Sequence, residues 1–186
     1  MVMTWIIVGA IALVLGSVVL SFNRFVKQRA TTANAWANVE SELQRRHNLI
    51  PNLVETVKAY ATHEAATFTE VTNARAGAVA AQGGPEAHVG PENELSGGLR
   101  QLLAVSEAYP ELRASERFLD LQRELVTTED RIQASRRLFN ANVRDYNQRV
   151  ETIPSRFIAA MFGFSKSDYF EIESSAAAVP NVRSTD

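Results

Sequence analysis

The chain has 186 residues, enough for one ordinary domain and an appended segment. Its formal net charge of -2 supplies no basic excess for nucleic-acid binding. It has no cysteine, which excludes disulfides, thiolate metal sites and a cysteine nucleophile.

The first 23 residues carry no charged side chain. Within them Trp5 to Phe22 reads WIIVGAIALVLGSVVLSF. As a helix this run is about 27 Å long at about 1.5 Å per residue. That nearly matches a hydrocarbon core of about 30 Å. Trp5 at one end and Phe22 and Phe25 at the other suit the interfacial zones. A cleaved signal peptide needs a cationic n-region and a small-residue cleavage site. Met1 to Thr4 has no cationic side chain, and no A-x-A follows the run. A retained single-pass transmembrane helix over residues 5–22 is therefore expected, with residues 1–4 forming a short exterior N-terminus. Arg24, Lys27 and Arg29 follow the span, then Arg45 and Arg46. The positive-inside rule places the body in the cytoplasm.

From Thr31 to Ala76 the pattern is helical, with only Pro51 inside it. Trp36, Leu43, Ile50, Val57 and Val71 fall at multiples of seven, a narrow seam with polar gaps at Arg46/His47 and at Glu64. Pro51 removes one backbone hydrogen bond and disfavours helix at Ile50. Two readings follow. Asn48 N-caps a new helix after a tight turn, or one long helix kinks. Residues 77–98 hold six of the nine glycines and two of the six prolines, and are expected to be a flexible loop. Leu99 to Tyr109 reads as a short helix stopped by Pro110. Ser115 reads as the N-cap of the longest helix, about Glu116 to Thr152, which Pro154 ends. Its seam is Phe118, Leu125, Ile132, Phe139, Tyr146 and Ile153, again seven apart.

The expected fold is all-α: an antiparallel four-helix bundle over residues 23–172, since apolar stripes must be buried against one another. An even number of passes returns the chain end to the membrane side. There lies an aromatic segment, 154–172, with Phe157, Phe162, Phe164, Tyr169 and Phe170. A short helix from Ser155 to Phe162, ended by Gly163, is expected within it. Two fates are open to its rings: capping the bundle's end, or resting in the headgroup zone. Residues 173–186 are small and polar and read as a disordered tail.

The search for chemistry assigns no catalytic, cofactor-binding or metal residue. His63-Glu64 begins a zinc-protease pattern, but Thr67 stands where the second histidine is needed. Gln44, Tyr60 and Pro85 stand three before the histidines, so the di-metal bundle pattern is absent. His47 and His63 lie about 160° apart around an ideal helix, and His88 falls in the glycine-rich stretch. No nucleophile elbow or phosphate-binding loop is present. Two polar groups interrupt the seams: Arg45-Arg46-His47-Asn48, and Asn140 and Asn142 with Tyr146-Asn147. They are expected to fix register and partner choice, or to form a buried hydrogen-bonded layer.

Several long runs resemble the LemA family of bacterial membrane-anchored helical proteins. They are Ala35-Trp36, ELQRRHNLIPNLVETVKAYATHE (Glu42 to Glu64), EAYPELRASERFLDLQRELVTTEDRI (Glu107 to Ile132), RRLFNANVRDYNQRVETIPSRFIAAMFGF (Arg136 to Phe164) and YFE (Tyr169 to Glu171). The resemblance implies one span in the inner membrane, a cytoplasmic four-helix bundle and no nameable enzyme activity. The four-helix description favours a break at Pro51. Relatives are linked to magnetosome membranes and are often encoded beside TPM-domain proteins or membrane metalloproteases, which makes these candidate partners. The expected function is a non-catalytic, self-associating scaffold with coiled-coil-like seams, needing no cofactor. The alternatives are a lipid-sensing or membrane-remodelling protein using residues 157–170, and an accessory subunit of a membrane enzyme.

Overall fold

A computed structural model describes residues 1–172; the tail expected at 173–186 lies outside the described residues. The first element, α1, runs unbroken from Val2 to Lys58. The apolar run and the first bundle helix are therefore one rod. Its N-terminal part is long and apolar enough to cross a membrane, and no residue of its most apolar window is buried inside the protein. The seam begins at Val18 and continues through Phe25, Thr32, Ala35, Val39, Leu43, Ile50 and Val57.

Pro51 lies inside α1, so the break favoured there by the four-helix description does not occur. The physical reason is a distant partner. Proline lacks the N–H that would bond the carbonyl four residues earlier, which is that of His47. A buried carbonyl left bare is costly. Arg75 supplies the missing donor: its Nε lies 2.7 Å from the His47 carbonyl oxygen. The helix passes through the proline because another helix repairs the ladder. The chain turns instead at 59–64, where the seam has its second gap at Glu64.

This repair predicts a coupled pair of effects. Arg75→Met should destabilise the protein by about 1–3 kcal/mol, the usual penalty for a buried acceptor left alone. In a Pro51→Ala background the ladder bond is restored, and the same change should cost well under half as much. Urea denaturation of the four proteins checks this; equal costs in both backgrounds would refute the repair.

Helix α2 spans Ala65–Ala80 and α3 spans Pro85–Glu107. The flexible loop expected over 77–98 is thus corrected. Only residues 81–84 connect two helices, and the rest is helical. Pro85 opens α3 at a position where proline is tolerated. The decisive feature is periodicity: Glu92, Leu95, Ser96, Leu99, Leu102 and Ser106 are all buried. That apolar face outweighs the low helix propensity of its glycines. Gly98 also has a packing role. A Cβ there would stand 3.2 Å from Val71 Cγ2 and 3.4 Å from its Cα, so glycine lets α2 and α3 approach closely. The short helix expected from Leu99 is the second half of α3. A single turn, α4, spans Pro110–Arg113 with Pro110 at its start.

Helix α5 spans Glu116–Glu151 with Ser115 as its N-cap residue, and α6 spans Ser155–Phe162. Gly163 ends α6 in the left-handed conformation at φ 72°, and Phe164 N–H returns to the Ala159 carbonyl. The architecture is a long antiparallel pair, α1 with α5, carrying the α2–α3 hairpin on its distal half. Phe25 meets Tyr146, Trp36 meets Phe139, and Arg46 meets Glu129. This descending pairing is that of antiparallel neighbours.

Three apolar layers follow along the rod. Nearest the span are Phe25, Tyr146, Ile158 and Ala159. Next come Ala35, Val39, Leu43, Ile132, Phe139, Val143, Phe170 and Ile172. The distal layer gathers Ile50, Leu53, Val57, Val71, Leu95, Leu102, Leu112 and Phe118 with their neighbours.

Candidate functional site

Between the middle and distal layers lies a buried polar layer, in which Arg46 Nε and His47 Nδ1 have no hydrogen-bond partner. It sits where the α1 seam is interrupted between Leu43 and Ile50. Adjacent residues on α1 supply Arg46 and His47; residues one turn apart on α3 supply Glu92 and Ser96; residues one turn apart on α5 supply Glu129 and Gln133. All six are buried, Arg46 at 1% exposure and Glu92 at 0%.

Each charge is paired. One Arg46 terminal nitrogen donates to a Glu92 carboxylate oxygen. The other donates to Ser96 Oγ at 3.2 Å and to Glu129 Oε2 at 3.1 Å. His47 Nε2 lies 2.8 Å from Glu92 Oε1. An ionised carboxylate only accepts, so the hydrogen is on Nε2. Ser96 Oγ donates to the Glu92 carbonyl, and Gln133 Nε2 donates to Glu129. Burial pushes the Glu92 carboxyl upward. The His47 hydrogen bond and the charges of Arg46 and His47 outweigh it and hold the carboxyl below its ordinary value. The layer therefore keeps Glu92 ionised in the core. It ties three helices at one level, since a shift of any helix by one turn would strand a buried charge.

Of the four residues singled out at Arg45–Asn48, only Arg46 and His47 enter this layer. Arg45 faces outward and pairs with Glu42 at 3.3 Å; Asn48 pairs with Gln44 at 3.0 Å. The acidic partner of Arg46 and His47, Glu92, lies in the stretch whose composition is that of a loop, so pairing between residues 46 apart is invisible in the pattern. The histidines separate as well. His63 is exposed in the turn after α1. His88 is helical, packs on Trp36 with ring centroids 5.4 Å apart, and shares with His47, Glu40, Gln44 and Glu92 the wall of a small pocket of about 160 Å³. Among the described residues, no three histidine, aspartate or glutamate side chains converge as metal ligands would.

The second polar group works differently. Asn140 and Asn147 on α5 each act as a two-way clip. Asn147 bonds both the N–H and the carbonyl of Ser167 at 2.9 Å. Asn140 bonds both backbone groups of Phe170 at 3.0 Å. Arg136 donates to the Ile172 carbonyl. The spacings match: seven helical residues rise about 10 Å, and three extended residues span about the same. Residues 164–172 thus run as an extended strap, antiparallel to α5, with Phe170 and Ile172 buried in the middle layer. Tyr146 is buried against Phe25, and Asn142 is half-buried without a part in the clip.

Magnetosome protein MamQ 1 and MamQ 2 of Paramagnetospirillum magneticum are each 27% identical to this chain, over 84% of it and 67% of their own length. Magnetosome protein MamQ of Magnetospirillum gryphiswaldense is also 27% identical, over 83% of this chain and 66% of its own. The LemA family model matches residues 35–183, a range that takes in the α1 seam from Ala35 onward, the polar layer, both clips and α6. The chain belongs to the LemA family.

Proposed function

We propose that this LemA protein is a non-catalytic scaffold of the bacterial inner membrane, with its N-terminus outside and its body in the cytoplasm. The carrying observation is the unbroken α1, in which one helix is both the apolar span and the bundle's central seam. Such a rod holds the body at a fixed height and angle to the bilayer. It presents the outer faces of α2 and α5, with Val79, Leu119, Val126 and Leu138 exposed, to neighbours confined in the same plane. Confinement raises the effective concentration, so weak lateral contacts suffice for assembly. The buried charged layer fits packing specificity better than chemistry, because its carboxylates are already engaged by Arg46 and His47. The relatives that are named magnetosome proteins support a membrane-associated role, and the TPM-domain and metalloprotease proteins implied by the family resemblance are candidate partners of the scaffold.

In-membrane photocrosslinking from positions 119, 126 and 138, followed by mass spectrometry, tests this reading. Adducts between copies, or with one recurrent membrane protein, are expected. Adducts with neither would remove the scaffold reading.

A further inference from the structure

The aromatic segment divides at Gly163. Beyond it the strap climbs away along α5, so Tyr169 and Phe170 belong to the bundle. Before it, α6 packs on the end of the span: Val18 packs with Phe25, Ile158 and Ala159, and Phe22 meets Phe162 with ring centroids 4.8 Å apart. Phe164 stacks on Phe25 at 4.8 Å. One face of α6, Ile158 and Ala159, is thereby buried. The adjacent edge is bare: Phe157 is 66% exposed and Met161 71%, one helical turn apart, and Ile153, just before α6, is exposed as well.

Depth settles what covers that edge. The apolar run bounded by Trp5 and Phe22 is about 27 Å long, just short of a core of about 30 Å. Its last turn, Val18 to Phe22, is needed to complete the crossing. That turn is the one α6 packs against. With no break in α1, the body has no hinge by which to lift α6 away. Charge agrees: Arg24, Lys27 and Arg156 are exposed at this level, and Arg149 lies 6.0 Å from the Phe25 ring. A strip of apolar side chains flanked by cations, level with the end of a span, fits the headgroup–acyl boundary of an anionic leaflet.

We infer that α6 is a second membrane contact. Phe157 and Met161 enter the boundary of the leaflet from which α1 emerges, while Arg24, Lys27 and Arg156 engage its anionic headgroups. The inference rests on the anchored reading above and adds to it. The body is held to the bilayer at two points, which fixes its rotation about the α1 axis as well as its height.

The chain has no native cysteine, so single nitroxide labels can be placed on the full-length protein. Variants Phe157→Cys, Met161→Cys, Tyr169→Cys and Val14→Cys are reconstituted in phosphatidylcholine vesicles containing phosphatidylglycerol. Collision with oxygen and with a water-soluble nickel chelate is then compared. The expected result is a nickel accessibility at 157 and 161 several-fold below that at 169, with oxygen favoured. Aqueous accessibility at 157 and 161, with the label at 14 deep, overturns the inference and leaves the anchor standing. An aqueous label at 14 overturns the anchor and this inference with it. Spin–spin coupling between labels at 157 on two copies, without oxygen preference, would make α6 a protein contact and overturn it too. Crosslinking from α5 tests the scaffold reading separately.

Discussion

Replacing Arg46 by methionine is expected to destabilise the protein by about 3–5 kcal/mol, the range for breaking a buried ion pair from one side. The size follows from what is left behind. Methionine fills much of the same volume, so packing loss is small. Glu92 and Glu129 then face each other's layer with their shared cation gone, and Glu92 is fully buried. The triple variant Arg46→Met, Glu92→Gln, Glu129→Gln removes every formal charge except any on His47. The glutamine at 92 still accepts from His47 Nε2. Neutral amides cost much less to bury than unpaired carboxylates, so the triple variant should recover most of the loss. Urea midpoints of the single and triple variants measure both. A loss under about 1 kcal/mol for Arg46→Met would show that Glu92 and Glu129 do not depend on Arg46 as described.

The same layer sets a pH dependence. Glu92 is held below its ordinary value, 4.5, in the folded protein. A carboxyl depressed by folding contributes stability that is fully present above the unfolded value. That stability is lost as pH falls through the folded value. The contribution of Glu92 should therefore be constant at neutral pH and decline only below about pH 4.5. Other carboxyls titrate there too, so the comparison that isolates it is wild type against Glu92→Gln. The stability gap between them should narrow as pH falls through this window. A gap that stays constant to the acid transition would remove Glu92 as its source.

How far the sequence led depends on the range of the interactions. The seam of α5 from Phe118 to Tyr146, its Ser115 start, the short α6 and its Gly163 stop are all local patterns, and each stands where the residues place it. Ile153, the last position expected in that seam, lies beyond the end of α5 and is exposed. The span is local too. Pro51 is undecidable from the sequence because the group that lets α1 pass through it, Arg75, lies on another helix, 28 residues from the His47 carbonyl it bonds. The stretch 77–98 has the glycine and proline content of a loop, while the spacing of Val89, Glu92, Leu95 and Leu99 is that of a helix face. That content masks Glu92, the partner that turns Arg46 and His47 from an interruption of the seam into a paired buried layer. The aromatic segment was legible as important but not as divided. Only the tertiary clips at Asn140 and Asn147 show that its second half leaves the membrane end.

Those clips carry the last large effect. Phe170 is fully buried, 5.1 Å from the Trp36 ring, which in turn packs on Phe139. Truncating a buried phenylalanine usually costs about 3–5 kcal/mol when the surroundings cannot relax. Here they can. The strap is held at its far end by Phe170, Ile172, the Asn140 clip and Arg136, so losing the ring favours peeling over an internal cavity. Phe170→Ala should then expose Trp36 and shift its emission to the red, read in a Trp5→Phe background so that one indole reports. Trypsin should cut after Lys166 many times faster in the variant, since that bond sits in the strap. Global unfolding should move much less than the full truncation penalty, because the α1–α5 pair and the polar layer do not depend on the strap. Asn140→Ala, which breaks both backbone bonds at Phe170 and leaves the ring, should show the same signature at smaller amplitude. A full-sized drop in the global midpoint without faster cleavage at Lys166 would mean that the strap is an integral core strip. It would then not be a docked segment. If it is docked, α6 and the strap are separable: α6 is the segment inferred to hold the base of the rod to the bilayer, and the strap latches residues 164–172 along α5, with Gly163 dividing them.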